Sequence, residues 1–419
     1  MKYPHIQEED QEVYEVMLGE EVREAEGLEL IPSENYVSQA VREAMASAFT
    51  NKYSEGYPGK RYYGGQEFTD KVELIAIDRA KKLFKAAYAN VQPLGGANAN
   101  IATYMALLEP GDTVLGMDLS HGGHLTHGHP VTYISKIFTF VRYQMKDIET
   151  GEIDYDALLE TAKTHKPKII LAGFSAYPRE LDWKRIADIA HEVGAIAVAD
   201  IAHIAGLIAG GALKNPFDYG FDVMTTTTHK TLRGPRGGMI LTRESEEIAR
   251  KIDKAVFPGL QGGPHMHVIA AKAVSFNEAL SPAFAQYAEA VVENAQAMAD
   301  VFLGANVRLI AGGTDNHLIL ADVFSTWGIS GGEAEALLDR AGITLNKNTI
   351  ADDTRKPLDP SGIRFGTPAL TTRGMGVEEC TQIALWMIEV LEKRDDATIH
   401  TIREQVRALA RAHPVPESF

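Results

Sequence analysis

The chain of 419 residues has a single cysteine, Cys380, so no intrachain disulfide can form and the fold must hold without one. It has no apolar run of membrane-spanning length. Its opening, Met1-Lys2-Tyr3-Pro4, leads into acidic residues where a signal peptide would carry an apolar core. Positive charge is in deficit: 41 Lys and Arg against 57 Asp and Glu leave a formal charge of −16. That balance argues against a nucleic-acid or anionic-membrane partner, while leaving room for a local basic pocket. The rest of the composition is that of an ordinary soluble globular protein, long enough for two domains with their own cores. A cytoplasmic enzyme is the expectation.

One stretch organises the rest: Thr225-Thr226-Thr227-Thr228-His229-Lys230-Thr231-Leu232-Arg233-Gly234-Pro235-Arg236-Gly237-Gly238. The runs Phe221-Asp222-Val223-Met224 and Met239-Ile240-Leu241 on either side read as two strands joined by a Gly/Pro-rich connection. Lys230 therefore stands just past a strand end, where open α/β sheets place ligands. Burial and the neighbouring cations both favour a neutral amine, the form that makes a Schiff base. Upstream, the apolar strand Ala195-Ile196-Ala197-Val198-Ala199 ends in Asp200. A lysine that holds an aldehyde and a carboxylate that keeps a pyridine nitrogen protonated are what pyridoxal phosphate (PLP) needs.

The lysine stretch resembles that of the serine hydroxymethyltransferases, fold-type I PLP enzymes, and the likeness runs from about Glu29 into the C-terminal region. It includes Asn51-Lys52-Tyr53-Ser54-Glu55-Gly56-Tyr57-Pro58-Gly59-Lys60-Arg61-Tyr62-Tyr63-Gly64-Gly65. On composition alone that segment is a surface loop or part of a site, and its aromatic content favours a site. The resemblance implies that Lys230 carries PLP as a Schiff base, Asp200 pairs with the ring nitrogen, His124 stacks on the ring, and Ser175 and His203 approach its phenolic oxygen. Thr227 and His229 flank the lysine as further cofactor contacts. It also implies that Arg364 and Ser33 hold the substrate carboxylate and that Glu55 handles protons during hydroxymethyl transfer. Leu119, Leu125 and Asn348 would contact tetrahydrofolate. Tyr53 and Tyr63 would come from a neighbouring subunit, and Gly262 and Gly263 would reach the phosphate of the neighbour's cofactor, so a homodimer with shared sites is expected, a tetramer remaining possible.

Three positions depart from the family's usual pattern. Pro32 stands where alanine is more common. The loop Leu94-Gly95-Gly96-Ala97 replaces a Ser-Gly-Ser whose hydroxyls help to hold phosphate, so backbone N–H groups of Gly95, Gly96 and Ala97 at a helix start are expected to hold it here. Ile350-Ala351-Asp352-Asp353 replaces a proline-containing turn beside Asn348. The histidines from His121 to His129 are expected to bind no metal, because no carboxylate cluster accompanies them in the sequence. Taken without the resemblance, Ser33 reads as the N-cap of a helix from Val37.

From Tyr155 to Ala199 helices and strands alternate, which implies parallel βαβ units. A helix is expected over 8–26 with Val13, Met17 and Val22 on one stripe, and another over 66–85. A long helical stretch from His265 to Leu303 should break at Ser281-Pro282, and strands are expected near Val307-Leu309 and His317-Ala321. The fold class is α/β, a fold-type I transferase: an N-terminal helical arm (1–52), a large, mostly parallel-sheet PLP domain (53–280) sandwiched by helices, and a small C-terminal α+β domain (281–419). The activity so implied is reversible transfer of the serine hydroxymethyl group to tetrahydrofolate, giving glycine and 5,10-methylenetetrahydrofolate. An α-methylserine hydroxymethyltransferase, a folate-independent β-hydroxy amino acid (threonine) aldolase and a non-catalytic scaffold stay open as alternatives.

Overall fold

The computed structural model describes residues 3–416. Met1 and Lys2, with which the expected arm begins, and residues 417–419, with which the expected small domain ends, lie outside them. The centre is a seven-stranded sheet: β1 (Tyr88–Asn90), β2 (Thr113–Met117), β3 (Thr139–Tyr143), β4 (Ile169–Gly173), β5 (Ile196–Asp200), β6 (Val223–Thr227) and β7 (Gly238–Thr242). Its order is β1-β7-β6-β5-β4-β2-β3, and only β7 runs antiparallel to its neighbours. β4 and β6 are buried along their whole length, as strands covered by helices on both faces must be, and they accordingly lack polar alternation.

The helices start where polar caps stand. Asp154 accepts from Ala157 N (2.9 Å) to open Tyr155–His165, and Asp182 accepts from Arg185 N (3.0 Å) to open Trp183–Glu192. At Ser281-Pro282 the break falls as expected: Ser281 caps the helix Pro282–Gly304 and Pro282 takes its first turn, where a missing N–H costs nothing. That helix serves two cores. Phe284, Tyr287 and Val291 pack with the large sheet, and Ala295, Met298 and Phe302 pack with a second cluster around a three-stranded antiparallel sheet. The strands of this smaller sheet are β8 (Leu318–Asp322), β9 (Asn346–Asn348) and β10 (Gly362–Gly366), in the order β8-β10-β9. Leu28 and Leu30 join the second core, and Leu28–Glu29 pairs in parallel with Ile343–Thr344.

Three expectations need correction. Residues 4–26 form two helices, Pro4–Glu9 and Gln11–Glu26, because the Asp10 carboxylate turns back to cap the second one at Val13 N. The stripe on that helix is not buried within the chain: Val13 and Val22 remain 46% and 55% exposed. Val307-Leu309 is no strand; Leu309 makes one isolated bridge to Ala321, and left-handed backbone at Ala311 and Gly312 ends any extension. Ser33 is not a cap. The helix here is Gln39–Met45, and Ser38 caps it at Val41 N (3.2 Å).

Register brings the site together. Asp200 pairs with Gly173 on one side and Thr225 on the other. Gly173 has φ 141°, and a Cβ there would lie 2.2 Å from the Asp200 carbonyl oxygen, so only glycine lets β5 end in a carboxylate at this place.

Candidate active site

A cavity of about 570 Å³ opens at the C-terminal ends of β4, β5 and β6 and is closed from the other side by β10. Fifteen of the twenty expected site residues line it. They are Ser33, Gly95, Gly96, Ala97, Leu119, His124, Leu125, Ser175, Asp200, His203, Thr227, His229, Lys230, Asn348 and Arg364.

Lys230 is positioned by its backbone. The hydroxyls of Thr225, Thr226, Thr227 and Thr228 are buried and each donates a hydrogen bond, to Asn100 Oδ1 (2.6 Å), Thr227 O (2.8 Å), Ala202 O (3.2 Å) and Pro235 O (2.6 Å). Thr231 Oγ1 donates to His203 O (2.9 Å), and Asn35 Nδ2 donates to Lys230 O (3.1 Å). The amine is pushed down to about 8, by burial first and then by the charges of Arg364 and Arg236, with Asp200 opposing them.

Asp200 is ionised. Burial alone would raise its carboxyl, but the hydrogen bonds from His127 and the Asn100 amide bring it well below the usual carboxylate range. Its Oδ2 accepts from His127 Nε2 (3.1 Å) and Asn100 Nδ2 (2.8 Å), and its Oδ1 accepts from Ala202 N (3.1 Å). The fold thus puts a carboxylate beside the histidine run, which the sequence did not show. His124, His127 and Asp200 have ligand atoms within 4.8 Å of one another. The His127–Asp200 hydrogen bond occupies two of the atoms a cation would use.

His124 is pushed down to about 4, chiefly by burial, and is neutral. Its Nδ1 accepts from Thr126 N (3.2 Å) and lies 2.7 Å from Thr126 Oγ1, which in turn accepts from Asn100 Nδ2 (2.8 Å). His229 is pushed down to about 3 by burial and by Arg236 and Lys230, and its Nδ1 accepts from Gly237 N (3.4 Å). Ser175 Oγ donates to Gly123 O (2.6 Å).

Arg364 sits on β10 between Ile363 and Phe365, which face the small core; strand alternation turns it toward the cavity. Nε donates to Asn346 Oδ1 (3.1 Å) and Nη1 donates to the Ser175 carbonyl. No carboxylate among the described residues pairs with it, and burial lowers it to about 10. A buried guanidinium without an anion is a ready carboxylate site.

The helix Gly96–Leu107 begins at the cavity with no side-chain cap, so its first-turn amides are free to face an anion. A Cβ on Gly96 would meet Thr227 Cγ2 at 2.8 Å, which holds that turn close against β6.

Glu55, Tyr53, Tyr63, Gly262 and Gly263 do not line the cavity. They gather instead on one exposed patch. Tyr53 OH donates to Glu55 Oε1 (3.3 Å), the Tyr53 and Tyr63 rings meet edge to face at 5.4 Å, and Gly263 lies flat against the Tyr53 ring. Tyr53 and Tyr63 are 56% and 50% exposed. The segment is ordered by Arg61, whose buried guanidinium bonds Ser54 O, Gly56 O, Asp70 and Glu73. Sequence reasoning missed Asn100, Thr126, His127, Arg236 and Asn346. Asn100 carried a faint signal, a polar residue one helical turn after Gly96 with Asn98 two positions before it, in a helix start otherwise of small residues.

The donor set fits PLP: a neutral-prone buried amine, an ionised carboxylate, neutral imidazoles and uncapped helix amides at one cavity. Fold and site define a PLP-dependent enzyme of fold type I. The chain belongs to the serine hydroxymethyltransferase family, whose profile matches residues 6–387. It is 54% identical to a serine hydroxymethyltransferase of Methylococcus capsulatus over 97% of each chain. It is 54% identical to one of Koribacter versatilis over 98% of this chain and 95% of that one, and 53% identical to serine hydroxymethyltransferase 1 of Pseudomonas aeruginosa over 99% of both. Among the described residues no helix is long and apolar enough to cross a membrane.

Proposed function

We propose that the chain transfers the hydroxymethyl group of serine reversibly to tetrahydrofolate, working in the cytoplasm as a homodimer or a tetramer built from it. The observation that carries this reading is the meeting, in one cavity, of the Lys230 amine, the ionised Asp200 and an Arg364 without an anion. Bound PLP supplies an electron sink for the bond broken at the substrate α-carbon. Lys230 would hold the cofactor at its aldehyde carbon through the ε-amine. Asp200, fixed by His127, Asn100 and Ala202, keeps a proton on the pyridine nitrogen. His124 offers its ring face, and the first turn after Gly95 receives the phosphate. Arg364 and Ser33 orient the substrate by its carboxylate, and orientation of this kind removes much of the barrier. Leu119, Leu125 and Asn348 form the folate side; Asn348 Nδ2 donates to Thr349 O (2.6 Å), which leaves its carbonyl oxygen for a ligand. Glu55 moves the hydroxyl proton from a second copy of the chain, with Tyr53, Tyr63, Gly262 and Gly263 beside it, which accounts for their exposure here.

The test is an absorbance spectrum of the protein with PLP, then with glycine, then with glycine and tetrahydrofolate. A visible band on adding PLP, lost in Lys230→Ala, and a new long-wavelength band only when folate joins glycine are the expected results. A protein that answers glycine and ignores folate would be an aldolase. One that takes up no PLP would lose the assignment altogether.

A further inference from the structure

Behind the cavity His203 and His317 form a stacked pair, with ring centroids 5.4 Å apart and an interplanar angle of 30°. His203 follows β5 and lines the cavity, whereas His317 precedes β8 and is fully buried. His203 Nδ1 and His317 Nε2 are 3.2 Å apart, so one of them carries a proton that the other accepts. The remaining nitrogens decide which. His317 Nδ1 is buried and has no hydrogen-bond partner among the described residues. A proton there would be a stranded buried N–H with no acceptor, a costly arrangement; a bare lone pair is tolerated better. His317 is therefore protonated on Nε2 and donates to His203 Nδ1.

We propose that His317 is a positioning residue that holds His203 in the tautomer protonated on Nε2, so that His203 presents an N–H to an anionic oxygen in the cavity. On the reading of the cavity as a PLP site, on which this step rests, that oxygen is the phenolic oxygen of the ring. Ser175, expected at the same oxygen, has already given its proton to Gly123 O, so the donor has to come from His203. Burial first, then the charges of Lys230 and Arg364, lower both imidazoles, His317 to about 3, and leave each with a single proton. Because His317 leads into the small sheet and His203 follows a strand of the large one, the donor is set correctly only when the two lobes are packed together.

The measurement is the nitrogen NMR spectrum of the full chain carrying ¹⁵N-histidine, without PLP and then with it, the His203 signals being identified by their loss in His203→Gln. The expected result is an unprotonated Nδ1 and a protonated Nε2 on His203 in both states. His317→Phe keeps the stack and removes the donor; in it both tautomers of His203 should coexist, and the pH at which the visible band of bound PLP changes should rise by about one unit. His317→Gln, whose amide N–H replaces Nε2–H, should restore both signatures, which a merely structural role would not explain. A His203 protonated on Nδ1 in the unaltered protein, or a His317→Phe variant with unchanged tautomer and unchanged titration, overturns the proposal. Failure of PLP to bind would instead remove the functional reading, since the cofactor-free spectrum decides the tautomer by itself. Should His317→Phe not fold, the unaltered protein and His317→Gln still decide it.

Discussion

An amine pushed down to about 8 answers pH differently from an ordinary lysine. Only the neutral form attacks a carbonyl, so the rate at which Lys230 captures PLP should climb about tenfold per pH unit below 8 and then level off. An unperturbed lysine would still be climbing near pH 10. Stopped-flow reconstitution of the cofactor-free protein between pH 6 and 10 measures this, and a rate still rising steeply at pH 9.5 contradicts the burial argument. Arg364 makes a second claim at the same scale. Its guanidinium has no protein anion, so the substrate carboxylate would be its first, and replacing it by alanine removes a buried charged contact worth about 2–5 kcal/mol. The glycine Kd from spectral titration should weaken at least about 30-fold while the PLP band stays. An Arg364→Ala protein that binds glycine normally would place the carboxylate elsewhere.

Among elements, the start of the helix Gly96–Leu107 lacks the two hydroxyls that the family resemblance leads one to expect, and its geometry says what restoring them should do. Gly95 is extended, with φ −173° that any residue adopts, and a Cβ there would make an ordinary 3.6 Å contact with Asn98 Oδ1. Ala97 is exposed. Serine fits both places, and each new hydroxyl can donate to a phosphate for about 0.5–1.5 kcal/mol. Gly95→Ser with Ala97→Ser should therefore tighten PLP roughly tenfold by equilibrium titration; unchanged affinity would mean the phosphate lies off this turn. The same loop is braced from behind. Lys272, fully buried, donates to Val91 O (2.6 Å), Gly238 O (2.7 Å) and Pro93 O (3.2 Å), tying β7 to the chain entering the helix. Lys272→Met strands three carbonyls and should cost about 3 kcal/mol or more in denaturant melts, with PLP affinity falling alongside; a neutral substitution would show that water replaces the ammonium. Elements of this kind divide what the sequence tells from what it hides. The βα alternation, Asp200 at a strand end and Lys230 past the next strand are local patterns, and a reader of residues 155–240 meets them in order. Lys272 looks like any helix lysine, and Asn100 reaches Asp200 across 100 residues. Ser33 misled for the converse reason: it precedes a helix as a cap would, but it is Ser38 that accepts from the helix N–H, at Val41. Long-range partners leave no periodic mark on a sequence.

For the whole molecule, the decisive fact is that the expected acid–base group and the lysine are not in one place. Lys230 is inside the cavity, and Glu55 is on the patch with Tyr53 and Gly262, outside its lining. The helix Gln11–Glu26 also has no buried residue, and its Val13 and Val22 face outward. The homodimer proposed above would bring Glu55 of one copy to the cavity of the other, twice over by two-fold symmetry. Mixing subunits tests this. Lys230→Ala and Glu55→Gln should each be nearly inactive in hydroxymethyl transfer as pure dimers. In a hybrid of the two, one site joins the intact Lys230 of one chain to the intact Glu55 of the other, and the second site carries both lesions. Unfolding and refolding an equal mixture makes about half the dimers hybrids, so about a quarter of the unaltered activity should return. If Glu55 instead swings into the cavity of its own chain, every site in every hybrid keeps one lesion and nothing returns, and the shared-site assembly is wrong.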